Sequence, residues 1–172
     1  MKTALLVIDV QSGLTGGAHN EISVLSNINE LISITRAGNG LVVFVQHCHT
    51  TFEPLMKGNP GWQLHPSLHK EKDDLVIEKT ASDSFYETAL DIELAARNVD
   101  HVMVAGLQTE YCVDTTCRSA LSRHYSVTLI SDAHTTGDSH LPAAEIIDHH
   151  NRVLKNLAHP AGNIEVKATS EI

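Results

Sequence analysis

Ala4 to Ile8 (ALLVI) and Leu41 to Val45 (LVVFV) decide the fold. Both runs are apolar at every position instead of alternating, the pattern of strands covered on both faces, and it predicts a parallel sheet. Between them Ile22, Leu25, Ile28, Ile32 and Thr35 recur at helical spacing, and Gly38 and Gly40 punctuate the end. The first unit therefore reads strand, helix, strand. Working outward, strands are expected at Leu75 to Glu78, His101 to Ala105, Val127 to Ser131 and Ile164 to Val166. Helices are expected near Tyr86 to Arg97, Glu110 to His124 and Pro142 to Leu157. Strands separated by helix-length segments mark a doubly wound, three-layer α/β sandwich of the Rossmann-like kind. For 172 residues the expectation is one domain, residues 1–172, with a single core.

One connection breaks the alternation. From Gln46 to Asp74 the chain carries Pro54, Gly58, Pro60, Gly61, Trp62 and Pro66 without a clean helical period. Phe52, Leu55, Met56, Leu64 and Leu68 give Trp62 apolar company, which argues for an ordered wall or lid over a site rather than a disordered excursion.

Composition excludes several classes. A formal net charge of -9 disfavours a nucleic-acid partner, whose phosphates demand clustered Lys and Arg. The five apolar residues before Asp9 are too few for a signal-peptide core, and no stretch approaches the roughly 20 apolar residues that span a bilayer. Three irregularly spaced cysteines, Cys48, Cys112 and Cys117, argue against a disulfide framework and for a reducing, cytoplasmic setting.

In doubly wound sheets ligands bind beyond the carboxyl ends of the strands, near the point where strand order reverses. Asp9 ends the first strand, Lys79 follows the third, and GLQTEYC (106–112) joins the fourth to its helix. With strands ordered 3-2-1-4-5-6, Asp9 and the turn bearing Cys112 meet. Thr109 is expected to cap that helix, which places the Cys112 thiol in a first turn whose free N–H groups favour a thiolate. Cys117 lies about 140° further round and is expected in the core; Cys48 has no recognisable activator. No G-x-S-x-G elbow, G-x-G-x-x-G fingerprint or Walker loop is present. His47, His49, His65 and His69 raise a metal hypothesis, but Pro66 disrupts a helical pair and Glu53 is the lone acidic residue among them; the expectation is no metal and no cofactor.

LLVIDVQ at the start, FVQH after the second strand, VIEKTASDSF around Lys79 and VMVAGLQTEYCVDTTCRSA around Cys112 together resemble the isochorismatase-like cysteine hydrolases, over residues 4 to about 157. The resemblance implies a six-stranded parallel sheet in the order 3-2-1-4-5-6 and a catalytic triad of Asp9, Lys79 and Cys112. It also implies a cis peptide between Leu107 and Gln108, with the N–H groups of Gln108 and Cys112 as an oxyanion hole. The implied activity is hydrolysis of a small-molecule amide-type C–N bond through a thioester. Two alternatives stand beside it: a non-catalytic binding or assembly domain, and a metal-dependent nicotinamidase-like amidase, for which the segment Gln46, His47, Cys48, His49 lacks the expected acidic ligand. Gln11, His47, Trp62, Phe85, Gln108 and Tyr111 are the candidate substrate contacts, and a homodimer or homotetramer is the implied assembly.

Overall fold

The computed structural model describes residues 1–172. Six strands form one all-parallel sheet: β1 (Thr3–Ile8), β2 (Leu41–His47), β3 (Leu75–Lys79), β4 (His101–Leu107), β5 (Ser126–Thr135) and β6 (Ile164–Lys167). They lie in the order β3-β2-β1-β4-β5-β6, as the resemblance implies. The order reverses between β1 and β4, where Ile8 pairs with Gly106.

The wholly apolar strands are explained by their two faces. Leu5, Val7, Phe44 and Ala105 pack against Val24, Ile28, Leu31 and Ile32 of α2 (Glu21–Ala37). Ala4, Leu6, Ile8, Val43 and Val104 meet α3 (Leu90–Ala96), α4 (Asp114–Ser122) and α5 (Ala143–Lys155) through Leu90, Leu94, Cys117, Ala120, Leu121 and Leu154. Each fully buried Leu or Ile contributes about 1.5–3 kcal/mol relative to exposure. A four-residue helix, α1 (Ser12–Thr15), follows β1.

Several boundaries differ from expectation. Ile22 is 86% exposed; Ile28, Ile32 and Thr35 are buried as expected, joined by Val24 and Leu31, while Ile22, six residues before Ile28, lies about 120° away from it at 3.6 residues per turn and faces solvent. α3 begins at Leu90 rather than Tyr86, since the intervening chain is spent on turns in which Glu87 takes a left-handed conformation, φ 52°. β5 runs on to Thr135, past an irregularity opposite Val104 and Gly106. No helix is long and apolar enough to cross a membrane.

Candidate active site

The carboxyl ends of β1, β3 and β4 bring three predicted residues together. Asp9 and Lys79 are both essentially sealed from solvent, and Cys112 is 9% exposed. Lys79 Nζ lies 2.7 Å from Asp9 Oδ2 and 3.1 Å from Cys112 Sγ. The same ammonium lies 3.0 Å from His47 Nδ1 and donates to the Ala81 carbonyl at 3.0 Å. His47 is its neighbour by register, since His47 and Lys79 pair across β2 and β3.

Local backbone aims these groups. Asp9 leaves β1 in the left-handed region, φ 50°, a conformation uncommon outside glycine and enriched in Asp and Asn. Its N–H still donates to Val45 O, so the residue is pinned to β2 while its side chain turns to the site. At β4, Gly106 at φ 121° precedes a cis Leu107–Gln108 peptide.

Cys112 does not sit in an ordinary first turn. Residues Thr109–Val113 form a π-helical turn before α4, and single π turns recur at functional sites. Thr109 is inside that turn and caps nothing; its hydroxyl meets His134. The expected thiolate at rest is also corrected. Burial, then the neighbouring Asp9 carboxylate, push the Cys112 thiol up to about 12, against the opposing pull of Lys79. Helix-end stabilisation is outweighed by desolvation. Burial raises Asp9 as well, which makes it a stronger base than a surface carboxylate. Asp9 Oδ1 has no hydrogen-bond partner in the protein, so one oxygen is free to take a proton. The Gln108 N–H, too, donates to no protein acceptor.

Asp9, His47 and Cys112 offer donor atoms within 4.8 Å of one another, the spacing of a metal site. The Lys79 ammonium contacts all three and fills the position a cation would take. Of the other loop histidines, His49 lies with its ring 6.0 Å from that of His47, but its Nδ1 accepts the Thr51 and Phe52 N–H groups, and His65 Nδ1 accepts that of Ser67.

The candidate substrate contacts divide. His47 is half-buried, and burial, then Lys79, lower it to about 4, leaving a neutral ring beside the triad. Tyr111 is 56% exposed on the π turn, and Gln108 is partly exposed beside it. Trp62 stands in the loop wall, its indole N–H toward Cys48 Sγ at 3.2 Å. Two assignments are corrected. Phe85 belongs to the core: it is buried, stacks on Tyr125 and lies under the Arg123 guanidinium, and those partners flank the amino-terminal end of β5, away from the site. Gln11 is fully buried. Its Nε2 donates to the His47 and Trp62 carbonyls and its Oε1 accepts the His47 N–H, so its amide is committed to clamping the loop and cannot bind a ligand.

A cavity of about 850 Å³ opens at the opposite end of the sheet beside Lys2, Asn39, His101 and Ser126. None of the triad borders it, and volume is the weaker guide, because reactive groups in this fold collect beyond the carboxyl ends of the strands.

Comparison with known proteins agrees with the geometry. Over 144 residues the chain is 35% identical to a streptothricin hydrolase of Streptomyces noursei; the alignment takes in 82% of this chain and 51% of that protein, so the chain spans about half the relative's length. A crystal structure of an isochorismatase family protein is 34% identical, with a TM-score of 0.85, covering 96% of this chain and 98% of the other. N-carbamoylsarcosine amidase of Thermoplasma acidophilum is 28% identical, with a TM-score of 0.79 and coverage of 100% and 99%. The model of the isochorismatase domain matches residues 3–165, and the chain belongs to the isochorismatase family.

Proposed function

We propose that this protein hydrolyses the C–N bond of a small amide or ureido compound, with Cys112 as nucleophile. The observation that carries the reading is the convergence of Asp9 and Cys112 on one buried ammonium, Lys79 Nζ, at 2.7 and 3.1 Å. Streptothricin hydrolase and N-carbamoylsarcosine amidase among the relatives support the substrate class.

The chemistry follows from the charges. Asp9 takes the thiol proton as Cys112 Sγ attacks the carbonyl carbon, and Lys79, donating to both groups, stabilises the negative charge as it passes from carboxylate to sulfur. The carbonyl oxygen becomes an oxyanion, held by the N–H groups of Gln108 and Cys112; each such donor is typically worth about 3–4 kcal/mol in the transition state. Protonated Asp9 returns its proton to the departing nitrogen, the C–N bond breaks and a thioester remains. Asp9 then deprotonates a water that attacks the thioester, releasing the acid and restoring the thiol.

The test is ammonia or amine release from a panel holding N-carbamoylsarcosine, streptothricin, simple ureas and nicotinamide, with wild type and Cys112→Ala after chelator treatment. Turnover by wild type and loss of at least about a thousandfold in the variant is expected, as for removal of a covalent nucleophile. Equal turnover by both would sink the thioester route.

A further inference from the structure

Beyond the triad, a buried hydrogen-bonded chain reaches the turn that carries the nucleophile. Thr109 Oγ1 lies 2.8 Å from His134 Nδ1, and His134 Nε2 lies 3.0 Å from Asn151 Oδ1. The Asn151 amide nitrogen donates to Ser131 O, which fixes the Asn151 oxygen toward the histidine. Nε2 must then carry the ring hydrogen, Nδ1 must accept, and the Thr109 hydroxyl must donate. The chain runs from Thr109 through His134 to Asn151 and ends on β5, joining the π turn, the end of β5 and α5. Next to it Thr136 Oγ1 donates to Glu110 Oε1 at 3.0 Å, a second strut on the same turn.

His134 is 1% exposed and makes no hydrogen bond to Asp9, Lys79 or Cys112. Burial lowers it to about 4, so the ring is neutral and its two nitrogens keep unlike roles. A neutral imidazole in an interior position is costly unless both nitrogens are satisfied; here both are, and one of them is spent on the turn bearing Cys112. We infer that His134 is a positioning residue: through Thr109 it holds the π turn in the register that sets Cys112 Sγ against Lys79 and leaves the Gln108 N–H free. The inference rests on the cysteine reading above for the role of Cys112.

Alkylation of Cys112 by iodoacetamide, followed site by site with peptide mass spectrometry across pH, tests it without need of a substrate. His134→Leu and Thr109→Val remove the bond. His134→Asn keeps an oxygen where Nδ1 stood, and Thr109→Ser keeps the hydroxyl. Loosening the turn draws Cys112 away from Asp9 and toward solvent, so its alkylation midpoint should fall by at least about one pH unit in the Leu and Val variants, while the Asn and Ser variants retain the wild-type midpoint. An unchanged midpoint in folded His134→Leu and Thr109→Val protein overturns the inference. So does an equal shift in all four variants, which would mark a packing role only. If His134→Leu fails to fold, the Thr109→Val and Thr109→Ser pair decides alone. Continued turnover by Cys112→Ala would reject the thioester route and leave these alkylation profiles interpretable.

Discussion

Gly106 shows how narrowly one residue constrains the site. Its φ of 121° lies in a region that side chains avoid, and a Cβ there would stand 2.0 Å from the Ile8 carbonyl oxygen on β1. That neighbour is backbone within the central strand and has nowhere to move. Gly106→Ala should therefore cost roughly 3–5 kcal/mol, read as a drop in the urea midpoint, and should separate Asp9 from Cys112, because both hang from this strand pair. A midpoint within error of wild type would show that β1 and β4 can part at no cost. Asp9 and Cys112 stand out in the sequence, as a carboxylate ending an apolar strand and a thiol after another, whereas Lys79 enters only through the family resemblance, since a lysine after a strand is ordinarily solvated. The state of the thiol was not legible. Position in a turn is written in the sequence, but burial is a property of the finished core, and burial decides the Cys112 proton. Phe85 and Gln11 were misread for the same reason: an aromatic ring or an amide near a motif does not disclose whether it faces a ligand or its own fold.

At the scale of elements, two buried amides clamp the loop from Gln46 to Asp74, beside backbone bonds from Ser12 to Gln63 and from His65 to Val10 and side-chain bonds from Asn29 to the Ser67 and His69 backbone. Gln11 bridges the His47 and Trp62 backbones, and Gln46 Nε2 also donates to Trp62 O at 2.7 Å. Two short helical turns, Glu53–Leu55 and Pro60–Trp62, hang from this clamp. Leu55 and Leu68 are buried and Leu64 packs against the core, while Phe52 and Met56 are 47% and 40% exposed, so side-chain burial anchors the wall at some positions and the amides hold it at others. Gln11→Ala leaves the His47 N–H and carbonyl without their partner, at a cost of about 1–3 kcal/mol. The expected result is faster proteolytic cleavage between residues 49 and 60 and weaker substrate binding, with the helices unchanged by circular dichroism. Cleavage at the wild-type rate would assign the loop's order to something other than the amides. The sequence marked this segment as a wall by its Pro, Gly and Trp content, yet the clamp was invisible because it joins residues 36 and 51 positions apart. The π turn was likewise out of reach: Thr109 has the chemistry of a cap, and only the buried His134, an inconspicuous histidine at the end of β5, diverts its hydroxyl.

For the whole molecule, the parallel sheet was readable because ALLVI and LVVFV are apolar on both faces, whereas the strand order that reverses between β1 and β4 was carried by the family resemblance. Stability against pH tests how the buried network is integrated with that core. His134 falls to about 4 in the folded protein, against an ordinary value of about 6.5 in the unfolded chain. Between those values the unfolded state binds the additional proton, so stability is full above about pH 6.5 and is lost as pH falls toward 4. From pH 7 to pH 5 this one group should remove about 2 kcal/mol. Asn151 hydrogen-bonds to the ring and slightly favours the charged form, His150 disfavours it, and Asp132 favours it, all against the larger effect of burial. Asp9, raised by burial, acts in the opposite sense, and half-buried His47 in the same sense; both remain in His134→Asn and cancel in a comparison. Urea unfolding at pH 7 and pH 5 should thus show a smaller acid loss in His134→Asn than in wild type, by about 2 kcal/mol. Equal losses would mean that the ring is already protonated inside the fold, and the donor order assigned from Thr109 to Asn151 would have to be reversed at its first step, with His134 Nδ1 donating to Thr109.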